Sequence, residues 1–162
     1  MQLKISSKIF SLSHKNDIYL NGKNLYSVET SNILGDYCLK LIELKNGFAK
    51  AIVIREINFL KDSFTIRILN EGNIPILFSR NKRWKHNYKC IYNGNNYSIE
   101  EIKKNYVIIK NDIIIAKWNK VEYISFVEEN NFDILDSCND LEFIISMCLI
   151  IYQKELNKRN PS

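Results

Sequence analysis

A chain of 162 residues is long enough for one domain with a complete core and too short for two of ordinary size. Its 46% apolar and 25% charged side chains are typical of a globular protein. The net charge of +5 is unevenly spread, because residues 1–90 carry 15 basic and 7 acidic side chains, whereas residues 91–162 carry 8 and 11.

The N-terminal segment and the cysteines both favour a cytoplasmic protein. Residues 1–8 lack the apolar stretch that a secretory signal peptide requires. The cysteines form no CxxC pair and no regular framework, so we expect reduced, buried thiols without disulfides or metal ligation. These four residues are Cys38, Cys90, Cys138 and Cys148.

Turn signals recur along the chain and divide it into six predicted hairpins. Four glycines follow Asn or Glu, and Asn and Gly tolerate the positive φ angle that tight hairpin turns require. The predicted turns are Asn21-Gly22, Asn46-Gly47, Glu71-Gly72, Asn93-Gly94, Asn111-Asp112 and Glu129-Asn130-Asn131. Their regular spacing indicates a repeated supersecondary unit.

Strand-like segments flank each predicted turn. The clearest is residues 64–68, where Phe, Ile and Ile alternate with Thr and Arg, so that apolar side chains share one face. The predicted pairs are 18–20 with 25–28, 37–44 with 48–54, 64–69 with 74–78, 88–92 with 97–99, 106–110 with 113–118, and 123–127 with 132–135. Consecutive hairpins of about twelve strands predict a mainly β fold, a closed antiparallel barrel, because closure removes exposed edges.

The segment after Asp140 predicts a helix. Ten of the twelve residues 141–152 are apolar and cover every face of that helix. A bilayer span needs about 20 apolar residues, so we predict instead a helix buried inside the barrel. One domain over residues 1–156 and a disordered tail over 157–162 follow from this arrangement.

The order of six hairpins and a buried apolar helix resembles the tubby C-terminal-like barrel. The closest resemblance is to its LURP-one-related branch, with the phospholipid scramblases as more distant relatives. It covers about residues 2–156 and rests on an opening strand, two turn phrases, and a last strand followed by the helix 141–152. The first four motifs are Ser7-Lys8-Ile9-Phe10-Ser11-Leu12, Tyr19-Leu20-Asn21-Gly22-Lys23, Ile68-Leu69-Asn70-Glu71-Gly72-Asn73 and Asn131-Phe132-Asp133-Ile134-Leu135-Asp136.

The resemblance also implies an interaction with lipid. Tubby domains bind phosphoinositide headgroups through basic residues of the barrel surface, and scramblase-like members act at membranes. None of those basic residues aligns individually with this chain, so the resemblance assigns no site residue.

No catalytic set is recognisable in the sequence. His14 and His86 are the only histidines, and neither has a Ser or Cys nearby in a known nucleophile motif. Phosphate-binding glycine motifs, HExxH and GxSxG are also missing from the sequence. We therefore predict a protein that is not an enzyme and that needs no cofactor.

The densest positive charge in the chain lies between residues 80 and 89. Lys and Arg each gain about 1 kcal/mol near an anionic membrane, and Trp favours the headgroup region. Nucleic acid offers similar phosphates, but the modest net charge and the lack of a stacking platform make it the weaker candidate. A solvated loop between two hairpins is the non-functional alternative. The candidate ligand-binding residues are Arg80, Lys82, Arg83, Trp84, Lys85 and Lys89.

Acidic residues precede the helix, where the scramblases carry a stretch proposed to bind calcium. Asp133, Asp136 and Asp140 occupy the similar place, but the glycine and terminal Glu of an EF-hand loop are missing. Helix capping explains acids at a helix start without an ion, so we predict no metal site.

The leading hypothesis is a non-catalytic, membrane-peripheral module that recognises anionic phospholipid or phosphoinositide headgroups through a basic surface loop. A structural or protein-interaction domain is the first alternative. A scramblase-like membrane protein is the second, disfavoured because the predicted helix is too short to span a bilayer.

Overall fold

The structure is a computed structural model, and the residues that it describes form thirteen β-strands, a 3-10 turn and one α-helix. It describes residues 1–8, 15–33, 36–58, 61–82, 85–119, 122–124, 127–135 and 140–159. The strands are β1 (Gln2–Lys8), β2 (Lys15–Leu20), β3 (Lys23–Ile33), β4 (Asp36–Glu43), β5 (Ala49–Asn58), β6 (Lys61–Ile68), β7 (Pro75–Lys82), β8 (Lys85–Tyr92), β9 (Asn95–Ile102), β10 (Asn105–Lys110), β11 (Ile113–Trp118), β12 (Glu122–Ile124) and β13 (Val127–Ile134). The 3-10 turn is Leu69–Glu71, and the helix α1 is Leu141–Arg159.

The sheet closes into an antiparallel barrel. Each strand from β1 to β10 pairs with the next strand in the chain, and β13 pairs with β1 along one edge. The other edge of β13 pairs with β11 near Ile134 and with β12 near Val127, so these two strands share one position. Twelve positions therefore surround the barrel, which confirms the predicted fold class.

Alternation along the strands separates the interior of the barrel from its outer surface. Val53 lies opposite Ile66 in the β5–β6 pair, and both are fully buried. Their neighbours Ile52 and Arg67, also opposite each other, lie on the other face and are partly exposed. Because side chains of a strand point alternately to the two faces, this register gives the barrel an apolar lining.

Helix α1 fills the interior of the barrel that these apolar side chains line, as predicted. Residues 143–154 are all buried, on every face of the helix. The ring of Phe143 lies 4.0 Å from that of Tyr92 and 5.0 Å from that of Tyr97, centroid to centroid. Near the other end of the helix, Lys154 Nζ donates to the hydroxyl of Tyr88 over 2.7 Å.

Five of the six predicted turns are confirmed, and they lie together at one end of the barrel. We call this the glycine end; its turns contain Gly22, Gly47, Gly72, Gly94 and the pair Asn111-Asp112. Asn21 (φ 47°) and Gly22 (φ 79°) illustrate the left-handed backbone that such turns need. Hydrogen bonds link neighbouring connections, since the Asn111 amide donates to the Asn96 carbonyl over 2.9 Å.

The sixth predicted turn was wrong. Glu129, Asn130 and Asn131 lie in the middle of β13, where Asn130 is opposite Ile5 of β1. Asn130 is fully buried, but its amide is satisfied: its oxygen accepts from the Trp118 indole over 3.3 Å, and its nitrogen donates to Glu128 over 3.0 Å. Strands β12 and β13 instead pair from Ile124 and Val127 onward. Along its other edge, β13 pairs with β1.

Two further boundaries differ from the predictions. The helix extends to Arg159, three residues into the segment predicted as a tail, and Lys158 forms ion pairs with Glu101 and Glu155 over 3.1 and 3.0 Å that hold this last turn. The predicted opening strand at residues 7–12 coincides with β1 only at residues 7 and 8. Residues 9–12 and 160–162 lie outside the described residues.

Candidate anion-binding site

Arg80, Lys82, Lys85 and Lys89 lie on the paired strands β7 and β8, so the prediction of a loop between two hairpins was wrong for these four residues. Arg80 lies opposite Tyr88 and Lys82 opposite Lys85, with an irregularity in the register between Arg80 and Lys82. Pairing extends into the basic segment because a closed barrel leaves neither strand an unpaired edge. Arg83 and Trp84 lie outside the described residues, as do the side chains of Arg80, Lys82, Lys85 and His86.

Lys89 is the candidate whose side chain the structure describes. It is exposed, lies opposite exposed Ser79, and forms no ion pair with a described carboxylate. Its neighbour Tyr88 is fully buried and packs edge-on against Phe64, with ring centroids 5.5 Å apart. The hairpin is therefore anchored through Tyr88 while Lys89 faces solvent.

The tip of this hairpin belongs to the end of the barrel opposite the glycine end. We call it the basic end, because five strands begin or finish there with lysine and because the β9–β10 turn is a Lys-Lys pair. These residues are Lys8, Lys15, Lys61, Lys82, Lys85, Lys103 and Lys104. Asp36 and Asp62 are acidic residues at the same end, and Lys15 pairs with Glu29 over 3.0 Å. At the strand ends and in the β9–β10 turn, these seven lysines outnumber the two aspartates.

The glycine end has a different surface. Among the described residues, nine of the ten large exposed apolar side chains lie within two residues of a strand end at this end of the barrel; only Ile102 does not. The nine are Met1, Leu25, Leu44, Phe48, Ile74, Leu77, Ile91, Ile113 and Leu135, and we call them the apolar collar. Acidic side chains accompany them, among them Glu71, whose carboxylate accepts a hydrogen bond from the Tyr92 hydroxyl.

The acidic residues before the helix are engaged in hydrogen bonds. Asp133 accepts from the Asn119 amide over 2.8 Å. Asp140 accepts from the Tyr97 hydroxyl over 3.2 Å and from the Asn93 amide over 3.4 Å, which ties the helix start to the β8–β9 turn. Asp136 lies outside the described residues. Nowhere in the described ranges do three or more His, Cys, Asp or Glu side chains form a group that could hold a metal ion.

Sequence reasoning found the hairpin lysines and missed those of the other connections. Lys103 and Lys104 were not recognised, because a Lys-Lys pair is no turn signal. The order of the connections could have identified these two lysines, because every second connection of an antiparallel meander lies at the same end. The connections at 83–84 and 103–104 are therefore on one side, and the Gly turns on the other.

Comparison of the chain with protein-family models, curated proteins and solved structures finds no match. The resemblance to the tubby-like and LURP-one-related barrels therefore stays a prediction. No helix among the described residues is both long enough and apolar enough to cross a bilayer.

Proposed function

We propose that this protein is a non-catalytic binding module that recognises anionic phospholipid or phosphoinositide headgroups through the β7–β8 hairpin. The observation that carries the proposal is the pairing of β7 with β8, which brings four cationic residues of the segment onto two adjacent strands. They are Arg80, Lys82, Lys85 and Lys89.

The register itself supports an anionic partner. Lys82 and Lys85 lie directly opposite each other, and like charges in such cross-strand pairs are destabilising. A bound phosphate would convert this repulsion into attraction, since cations near an anionic surface gain about 1 kcal/mol each. Lys89 adds an exposed charge that no described carboxylate neutralises.

Family and location are part of the same proposal. A tubby-like, LURP-one-related barrel in the cytoplasm would meet the inner leaflet, whose anionic lipids attract basic surfaces. The chain supports this with the predicted hairpin series, the buried helix and a surface rich in lysine at one end.

A second candidate, a protein-interaction domain, is favoured by the apolar collar. Phe48 and Ile74 are each 68% exposed, and Ile91 is 72% exposed. Several large apolar side chains exposed at one end of a domain are typical of a contact with another protein. This candidate assigns the partner to the glycine end, so the two functions make opposite predictions about where substitutions matter.

The first test removes three hairpin lysines. Lys82→Thr/Lys85→Thr/Lys89→Thr preserves strand propensity, because threonine is β-branched. We expect binding to vesicles of phosphatidylcholine and phosphatidylserine to fall about 100-fold, since three lysines contribute about 1 kcal/mol each and 1.4 kcal/mol is a factor of ten. Co-sedimentation with vesicles measures this, and added salt should weaken the parent's binding by screening.

The control removes the same charge elsewhere. Lys23, Lys40 and Lys117 are exposed lysines on β3, β4 and β11, so a triple threonine variant matches the first in charge and residue type. We expect the control to bind nearly as well as the parent, and circular dichroism melting to show that both variants fold. Equal loss in the two variants would reject the hairpin, and a parent that ignores anionic vesicles would reject the lipid proposal.

A further inference from the structure

Five of the described connections place two successive residues in the left-handed region, and one of them has an unusual sequence. Four are Asn21-Gly22, Gly72-Asn73, Asn93-Gly94 and Asn111-Asp112, whose residue types tolerate positive φ. The fifth is Lys103-Lys104, with φ angles of 50° and 67°. Left-handed backbone is unfavourable for side chains such as lysine, which cannot hydrogen-bond locally as Asn and Asp do.

The strained pair lies beside the proposed binding hairpin. β8 and β9 are neighbouring strands, so the β7–β8 tip and the β9–β10 turn are adjacent connections at the basic end. With neighbouring strands about 4.8 Å apart, the centres of these connections are about 10 Å apart. Lys103 and Lys104 are exposed and form no ion pair with any described side chain.

We propose that Lys103 and Lys104 belong to the anion-binding surface, and that the barrel meets an anionic membrane end-on, through its basic end. This inference rests on the proposed function and extends its site from one hairpin to the end face. Strained backbone persists where function requires the residues that occupy it. Here Lys103 and Lys104 would serve by adding two unneutralised positive charges next to Lys82 and Lys85. An Asn-Gly pair would satisfy the turn but remove both charges.

The surroundings of the turn suit a membrane. Lysines at the ends of several neighbouring strands form a broad charged face, which matches a planar array of anionic headgroups.

The test exploits the conflict between turn stability and charge. Lys103→Asn/Lys104→Gly should raise the melting temperature by about 2–4 °C, because it relieves the left-handed strain of two lysines. The same variant should bind vesicles of phosphatidylcholine and phosphatidylserine about 25-fold more weakly, from two lysines at about 1 kcal/mol each. A more stable protein that binds less cannot be explained by misfolding.

The charge-matched control is Lys23→Asn/Lys45→Asn, which removes two exposed lysines at the glycine end. Parent-like binding by this control, with the loss confined to the turn variant, supports the end-on surface. If the turn variant binds like the parent while the hairpin variant loses binding, the proposed function stands and the end-on surface is overturned. If the control loses as much as the turn variant, or if single-stranded DNA binds in place of vesicles, the end-on membrane surface is likewise overturned. A parent that binds no anionic vesicle overturns both proposals.

Discussion

Tyr88 shows how single residues connect the barrel wall to its core. Its ring is fully buried, and its hydroxyl accepts a hydrogen bond from Lys154, whose side chain is only 6% exposed. The ammonium also lies 4.5 Å from the centre of the Tyr88 ring, within the range of a cation–π interaction. A buried lysine needs such partners, because desolvation penalises its charge. Because Tyr88 lies opposite Arg80, the same contact holds the candidate hairpin against the helix.

The cysteines give a prediction at this scale. Burial raises the pKa of Cys90 to about 12 and holds the pKa of Cys148 still further above its usual range. Only the thiolate is nucleophilic, so both should react slowly with iodoacetamide at neutral pH. Mass spectrometry of alkylated peptides, with a sample in guanidinium as the control, measures this. Labelling of Cys148 in the native protein as fast as in guanidinium would contradict its place in the helix core.

Helix α1 is the element on which the barrel depends most. Ile144, Ile145 and Met147 to Ile151 have no exposed surface, and Phe143 contacts aromatic rings of β8 and β9. In water such a helix would expose apolar side chains on every face, so it cannot be stable alone. Helix and barrel therefore fold together, because the lining of the strands is equally apolar.

A charge placed in the helix tests this dependence. Ile145→Asp buries an unpaired carboxylate, which costs several kcal/mol against a total stability of about 5–15 kcal/mol. We expect the variant to be unfolded or insoluble, whereas Ile145→Val should lose only about 0.5–1.5 kcal/mol. Thermal melting followed by circular dichroism compares the two. A soluble Ile145→Asp protein with the melting temperature of the parent would exclude the central-helix arrangement.

At the scale of the whole molecule, the two ends of the barrel present different surfaces. The basic end carries lysine at five strand termini and in the β9–β10 turn, whereas the glycine end combines the apolar collar with carboxylates such as Glu71 and Asp140. Helix α1 begins at the glycine end, where acidic residues complement its positive pole. This asymmetry would orient the protein as it approaches an anionic surface.

Because several tyrosines are buried, the free energy of unfolding should depend on pH in the alkaline range. Burial, reinforced by the carboxylates of Glu142 and Glu43, raises the pKa of Tyr26 to about 12, and burial does the same for Tyr106. The unfolded chain loses these protons near pH 10 and the folded chain near pH 12, so the free energy of unfolding should fall as pH rises through this window. Urea unfolding between about pH 9 and pH 11 measures the fall. Tyr26→Phe/Tyr106→Phe should make the fall smaller without abolishing it, because burial raises the pKa of Tyr92 as well. An unchanged slope would show that the phenols of Tyr26 and Tyr106 do not contribute.

The sequence by itself determined the features that depend on neighbouring residues. Asn21-Gly22 predicts a tight turn because its backbone conformation is a local property. Residues 141–152 predict a buried helix because apolarity on every face leaves no side for water. These two signals were sufficient for the hairpin series, the closed barrel and its central helix.

Only the tertiary structure decided which distant residues meet. Asn130 resembles a turn residue, yet it lies inside a strand because β1, more than a hundred residues earlier, pairs along the whole of β13. The Lys4–Glu129 ion pair, 2.7 Å long, joins the same two strands. Lys103 lies near Lys85 only because β8 and β9, the strands between them, pair antiparallel. Register and shared ends follow from long-range pairing, which no local pattern encodes.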